Sequence, residues 1–171
     1  MTGEYADAST TSLSQLMLLQ GQETPDLQGF LPLSVRFNPA TYYQQYARVP
    51  GEYDSDYENF QVAGPQEAAL QAVLAHTRSH QVPVVFVNLP LTQEYLDPTR
   101  LRYEQEFEAY MLQVAVQQGG LIYRDLSESW LSAHDYFSDP SHLNRYGAYQ
   151  VSVRLAEDSL IPWHQAVQNQ D

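Results

Sequence analysis

The sequence predicts an α/β fold in which helices are layered on a parallel β-sheet. Two short apolar runs, at 82–89 and 121–126, are separated by a long helical pattern and flanked by two others. In the run at 82–89, the residues that would point to either face of a strand are mainly apolar, and many are β-branched. This is typical of a strand that is covered on both faces. The order helix, strand, helix, strand, helix implies right-handed crossovers between parallel strands.

The first part of the chain predicts less regular structure. The leucines of residues 12–20 are spaced as in a short amphipathic helix. After a polar loop, a short extended segment is expected at 30–37, followed by a turn at Asn38-Pro39. The tyrosine-rich stretch at 41–60 is predicted to be an irregular, wrapped segment.

Three helices are predicted in the second part of the chain. Gly64-Pro65 starts the first, because proline suits the first turn of a helix. The second covers 98–118 and ends at a pair of glycines. A short helix or turn follows at 127–133, and a helix at 143–160 closes the pattern.

These elements predict one compact domain with two parts. Residues 1–63 form an irregular, helical and tyrosine-rich N-terminal segment, and residues 64–171 form the α/β portion. No internal repeat, low-complexity segment or linker divides the chain. At 171 residues it is long enough to bury a core.

The composition argues against several classes of function. Eight basic residues stand against twenty-one acidic ones, a formal net charge of −13, which disfavours a basic patch for nucleic acid or an anionic membrane surface. The absence of cysteine excludes disulfides, thiolate metal sites and cysteine nucleophiles. No apolar run is long enough for a transmembrane helix, and the first residues are unlike a signal peptide. The expected location is cytoplasmic by default, or extracytoplasmic if the sequence belongs to a longer protein.

The pattern Asp139-x-x-His142 carries the main chemical signal. An acid three residues before a histidine can hold two members of a serine hydrolase triad on one loop, since the carboxylate orients the imidazole that takes the nucleophile's proton. Reactive groups of open α/β sheets lie outside the carboxyl ends of the strands, so Asn88 and Thr92 are expected in the same crevice. No Gly-x-Ser-x-Gly elbow is present. Ser34 is the one serine in a strand-like context upstream.

Three segments, 82–90, 121–126 and 139–147, together resemble the C-terminal half of an SGNH/GDSL-type hydrolase domain. The last reads Asp-Pro-Ser-His-Leu-Asn-Arg-Tyr-Gly, which is similar to the Asp-x-x-His block at the end of that superfamily's domain. Residues 50–162 more closely resemble an uncharacterised cyanobacterial family related to D-alanyl transfer and alginate acetylation proteins. The resemblance implies a three-layer, flavodoxin-like parallel sheet, partial here because its N-terminal strands have no counterpart.

The resemblance also implies an esterase or O-acyltransferase that acts, without a cofactor, on a small ester or a polysaccharide-linked acyl group. His142 would be the general base and Asp139 its orienting acid, and Asn88 and Thr92 are candidates for the oxyanion site or pocket. The superfamily's Gly-Asp-Ser and Gly-x-Asn-Asp blocks are missing, so the nucleophile is unknown, with Ser34 as the candidate. Either the chain is the C-terminal part of a longer protein, or it is a non-catalytic, carbohydrate-binding or assembly module on the same fold.

Other interpretations of the same residues stay open. Asp139 could cap the turn or helix that follows it, and His142 could be an exposed loop residue. Asp135 and Asp139 could form the carboxylate pair of a glycosidase, although both lie on one short loop. The tyrosines between 42 and 95 could stack on sugar rings or pack their segment against the rest of the chain.

No metal site is predicted. Asp54, Asp56 and Glu58 have the alternate spacing of a calcium loop, but the glycine and the final glutamate of such a loop are absent. His76 and His80 lie four residues apart on a predicted helix, a spacing that can bind metal, but no third ligand accompanies them.

Overall fold

A computed structural model describes residues 31–45 and 60–163 of the chain. The helices are α1 (Pro39–Gln45), α2 (Pro65–Ser79), α3 (Pro98–Gln117) and α4 (Arg145–Ala156), the strands are β1 (Val84–Asn88) and β2 (Leu121–Asp125), and a 3-10 helix covers His134–Tyr136. Within these ranges the fold is therefore mixed α/β, with four α-helices and a small two-stranded sheet. The helix predicted at 12–20 and the acidic segment at 54–58 lie outside the described residues.

The two strands pair in parallel, as the sequence predicts. Val84 is opposite Leu121 at one end of the sheet, and Asn88 is opposite Asp125 at the other. A hydrogen bond from the Leu126 amide to the Asn88 carbonyl, 2.9 Å long, extends the pairing past the strand ends. The carboxyl ends of both strands thus meet at one edge, where the following loops carry the candidate site.

The predicted starts of helices α2 and α3 are confirmed, α3 ends within one residue of its predicted end, and local chemistry explains these boundaries. Each helix begins with proline, whose missing amide hydrogen costs nothing at a helix start. Asp97 precedes α3, and its carboxylate accepts hydrogen bonds from the Thr99 and Arg100 amides. After α3, Gly120 has φ +89°, a left-handed conformation that glycine adopts without a steric penalty.

The core packs helices α2 and α3 against one face of the sheet. Its buried members are Leu74, Met111, Val114, Leu121 and Tyr123. Leu121 and Tyr123 are two residues apart on β2, so they point to the same face, and Met111 on α3 is fully buried against it. The long helix therefore holds β2 in place, and β2 leads directly into the candidate site.

Helix α1 corrects the prediction of an irregular segment from residue 41. The Asn38 side-chain oxygen accepts a 3.0 Å hydrogen bond from the Ala40 amide, and the Asn38 backbone carbonyl accepts one of 2.9 Å from the Tyr42 amide. Asparagine followed by proline thus starts a helix here, because the same pair suits an N-cap and a first helical position as well as a turn. The rest of the tyrosine-rich stretch, at 46–59, lies outside the described residues.

Two further expectations are adjusted in detail. Residues 31–38 contain neither helix nor strand; single backbone hydrogen bonds attach Phe37 to Phe137 and Leu33 to Arg145. Helix α4 starts at Arg145 rather than at 143, because Asn144 caps it, and it ends at Ala156 rather than at 160. The division of the chain at residue 63 stays a prediction. Among the helices described, none combines the length and apolar character that crossing a membrane requires.

Candidate active site

Asp139 and His142 face each other across one tight turn. The two carboxylate oxygens of Asp139 lie 2.8 and 3.0 Å from the His142 Nδ1. One of these oxygens also accepts hydrogen bonds of 2.9 Å from the Ser141 and His142 amides. The carboxylate therefore closes the turn and orients the imidazole at the same time.

The electrostatics of this pair favour a protonated imidazole. The hydrogen bond to Asp139 is the largest influence and raises the pKa of His142; burial lowers it by less, and the carboxylate charge raises it further. The His142 side chain is 66% exposed, whereas that of Asp139 is 20% exposed. All hydrogen bonds from described residues to the ring involve Nδ1. In the neutral tautomer that this network indicates, Nε2 is the nitrogen that accepts a proton.

The base of the turn is tied down on both sides. Phe137 and Leu143 form an isolated antiparallel bridge. The Ser138 amide and hydroxyl both donate to the His142 carbonyl, at 2.8 and 3.2 Å. Phe137 is fully buried, so its side chain anchors the start of the turn.

Thr92 lies next to this turn, as predicted from its position after β1. Its hydroxyl donates to the Pro140 carbonyl at 2.7 Å, its amide donates to the same oxygen at 3.2 Å, and the residue is fully buried. The loop after β1 is thus fastened to the Asp139–His142 turn. The donors of Thr92 hold the turn, and its use as an oxyanion donor stays a prediction.

Asn88 makes its contacts elsewhere on the same sheet edge. Its side-chain amide donates to Glu104 on α3 at 2.9 Å and to Asp125 on β2 at 3.3 Å. The structure therefore brings Thr92, Asp139 and His142 together, while the Asn88 side chain is directed to the carboxylates of the neighbouring elements.

The candidate serines, Ser34 and Ser141, have hydrogen-bond partners other than His142 Nε2. Ser141 Oγ lies 3.3 Å from His142 Nδ1 and 3.4 Å from the Asp139 carboxylate, on the side of the ring that faces the acid. Ser34 Oγ donates to the Pro32 carbonyl at 3.5 Å. The described residues thus supply the acid and base of a triad and join neither Ser34 nor Ser141 to the Nε2 that would activate a nucleophile.

Asn144 organises the site, and the sequence interpretation overlooked it. Its side-chain amide donates to the Val35, Asp135 and Phe137 carbonyls at 2.9, 2.8 and 3.0 Å. Its side-chain oxygen accepts from the first amides of α4, those of Tyr146 and Gly147. An asparagine directly before a helical pattern is a recognisable N-cap signal, but nothing in the sequence indicates the three carbonyl partners.

Gly147 allows helix α4 to approach the turn closely. A Cβ atom at this position would lie 2.2 Å from the Tyr136 carbonyl oxygen and 2.8 Å from a methyl carbon of Leu143. The glycine that ends the Asp-x-x-His block therefore has a packing reason, independent of any catalysis.

A second pair of acid and histidine joins the two loops. His134 Nε2 lies 3.0 and 3.1 Å from the two carboxylate oxygens of Glu94. This pair is less exposed than Asp139–His142, and the Phe37 ring packs edge-on against the imidazole at 5.4 Å between centroids. Because its members are 40 residues apart, no spacing rule could have revealed it.

The remaining candidates have local roles. His80 Nδ1 contacts the His76 carbonyl at 2.9 Å, and in the part of the chain that the structure describes no group of three His, Asp or Glu side chains is arranged to bind a metal ion. Asp135 forms an ion pair with Arg36 at 3.1 Å, so it and Asp139 have different partners.

Comparisons of the chain with protein-family models, with curated proteins and with solved structures give no match.

Proposed function

We propose that this chain belongs to an SGNH-like serine esterase or O-acyltransferase in which His142 is the general base. The observation that supports the proposal is the 2.8 Å contact between the Asp139 carboxylate and the His142 Nδ1, on a turn that follows a parallel sheet. The parent fold would be the three-layer, flavodoxin-like sheet, of which β1 and β2 are two strands. Substrates would be esters of small alcohols or of polysaccharide hydroxyls.

The chemistry follows from the orientation of the imidazole. His142 Nε2 takes the proton of a serine hydroxyl as that oxygen attacks the acyl carbonyl, and Asp139 stabilises the imidazolium that forms. The imidazolium then protonates the departing alcohol, which leaves an acyl-serine. Water or an acceptor hydroxyl, deprotonated by the same nitrogen, releases the acyl group. Ser34 is the candidate nucleophile within this chain; a serine of a longer protein would serve equally.

The alternative is a non-catalytic, carbohydrate-binding or assembly module. It is favoured by the double use of Asp139, whose carboxylate also accepts the Ser141 and His142 amides. That role explains an acid at this position without any reaction.

A fluorophosphonate probe combined with p-nitrophenyl acetate hydrolysis separates the two proposals. With a nucleophile in this chain, the esterase proposal predicts covalent labelling and ester hydrolysis that are both lost in His142→Ala. His80→Ala, which removes another exposed histidine, is the matched control and should leave both unchanged. Labelling that persists in His142→Ala would contradict the proposed base.

Ser34→Ala then tests the nucleophile. Loss of labelling in this variant, with the same thermal unfolding as the parent protein, identifies Ser34. A well-folded chain that is never labelled and hydrolyses no ester supports the non-catalytic module.

A further inference from the structure

A cavity of about 660 Å³ lies at the start of helix α4, on residues that the catalytic proposal does not use. Its lining includes Arg36, Asp135, Tyr136, Arg145, Tyr146 and Tyr149. The volume falls within the usual range for small-molecule sites and suits a ligand of one or two rings. Three tyrosines and two arginines give it both aromatic surface and positive charge.

The charge of this cavity is opposite to that of the protein. The chain has only eight basic residues and a net charge of −13, yet two arginines and one acid line the same cavity. Asp135 forms an ion pair with Arg36 at 3.1 Å. Among the residues the structure describes, no carboxylate pairs with the Arg145 guanidinium. The local balance is therefore positive, which favours an anion here.

The two guanidinium groups share one aromatic ring. The Arg36 guanidinium carbon lies 4.8 Å from the centre of the Tyr146 ring, and that of Arg145 lies 5.9 Å from it. Such stacking holds a guanidinium in place while its N–H groups remain able to bind a carboxylate or phosphate.

Two hydrogen bonds join the backbone segments that carry the arginines. Asn144, directly before Arg145, donates to the carbonyl of Val35, directly before Arg36, at 2.9 Å. The Arg145 amide donates to the Leu33 carbonyl at 2.8 Å. The two arginines, 109 positions apart in sequence, are thus held in a fixed relation before any ligand arrives, which lowers the entropic cost of binding.

We propose that this cavity binds an anionic sugar, a ring that carries a carboxylate or a phosphate. Arg145 and Arg36 would bind the anion, and the exposed ring of Tyr149 together with Tyr136 would contact the apolar face of the sugar. This site needs no nucleophile, so it goes beyond the esterase proposal and does not depend on it.

Titration calorimetry with four ligands tests the proposal. D-glucuronate represents the carboxylate source, D-glucose 6-phosphate the phosphate source, and D-glucose and inorganic phosphate represent ring and anion alone. We expect one or both anionic sugars to bind at least about tenfold more tightly than glucose or inorganic phosphate. Glucose lacks the charge-assisted bond to the arginines, which contributes on the order of a factor of ten, and inorganic phosphate lacks the contact of a ring with the tyrosines. Equal binding of inorganic phosphate would overturn the sugar assignment.

Two variants that should change the binding affinity in opposite directions make the test specific. Arg145→Gln should weaken binding about tenfold, and raised salt should weaken binding to the unmodified protein. Asp135→Asn should tighten it about two- to fivefold, because it frees Arg36 from an exposed ion pair. A purely structural role of these residues would not produce tightening.

Arg154→Gln is the matched control, because Arg154 lies on the same helix and donates to Ser129 outside the cavity lining. It should leave affinity unchanged, as should His142→Ala. If neither anionic sugar binds, or if Arg154→Gln and Arg145→Gln lose affinity equally, the proposal is refuted. Retained sugar binding alongside failed fluorophosphonate labelling would refute only an esterase whose nucleophile lies within this chain.

Discussion

The turn that carries the candidate catalytic pair has an exposed tip and a buried base, and the two are held by different contacts. At the tip, Asp139 and His142 interact over three positions of sequence, and the imidazole is largely exposed. At the base, Asn144 is 1% exposed and reaches a carbonyl 109 positions away. The difference indicates that changes at the base should reduce stability, whereas changes at the tip should alter chemistry and leave the fold intact.

The largest effect is expected from Asn144→Ala. The substitution leaves three carbonyls and two amides without their side-chain partner in a buried setting, so we expect a loss of about 3 kcal/mol or more in the free energy of unfolding. Urea denaturation measures it. Asn38→Ala, which removes an exposed cap of α1, is the control and should cost no more than about 1 kcal/mol. Equal losses would contradict the special role of the base.

A smaller but clear effect is expected from Gly147→Ala. The added methyl group would meet the Tyr136 carbonyl at 2.2 Å, so helix α4 must shift away from the turn, at a cost of about 1–3 kcal/mol. Gly119→Ala is the control, because a Cβ there has no atom within 4 Å. Thermal unfolding of the two variants side by side should show the first lowered and the second nearly unchanged. Unchanged stability in both variants would show that the packing at the base of the turn accommodates a methyl group at little cost.

The same contrast explains which parts of the structure could be predicted from sequence. Local signals sufficed for the two strands, the starts of α2 and α3, and the contact between Asp139 and His142, while the order of the elements indicated that the strands are parallel. Proline at a first helical turn, glycine after a last one and an acid three positions before a histidine all act over a few residues. The start of α1 was missed because Asn38-Pro39 is a local signal with two meanings.

Contacts between distant residues could not be predicted in this way. The Glu94–His134 pair, the reach of Asn144 to Val35 and the stacking of Arg36 and Arg145 on one tyrosine each join different loops. No periodicity or spacing connects residues that only tertiary packing brings together. The candidate base and its acid were therefore predictable, whereas the cavity at the start of α4 was not.

The smallest effect on stability is expected at the tip, from the charge of His142. Its pKa is raised by Asp139, so the pair stabilises the folded chain fully below the unfolded-state pKa of about 6.5, and this contribution is lost as pH rises through the higher folded-state pKa. Because the imidazole is exposed, solvent screening limits the contribution to a few tenths of a kcal/mol, roughly the value of an exposed ion pair.

Asp139→Asn isolates the contribution of the charge interaction to stability. Asparagine keeps a side-chain oxygen for the Ser141 and His142 amides but removes the charge. Histidine NMR titration should give a His142 midpoint above 6.5 in the parent chain and a lower one in the variant, with the difference reduced by salt. The stability of the parent chain should decline slightly above pH 6.5, whereas that of the variant should not, and both should have the same fold. A His142 midpoint that does not move would mean that the Asp139 carboxylate only binds the backbone amides of the turn. The tip, like the base, would then have a structural role alone.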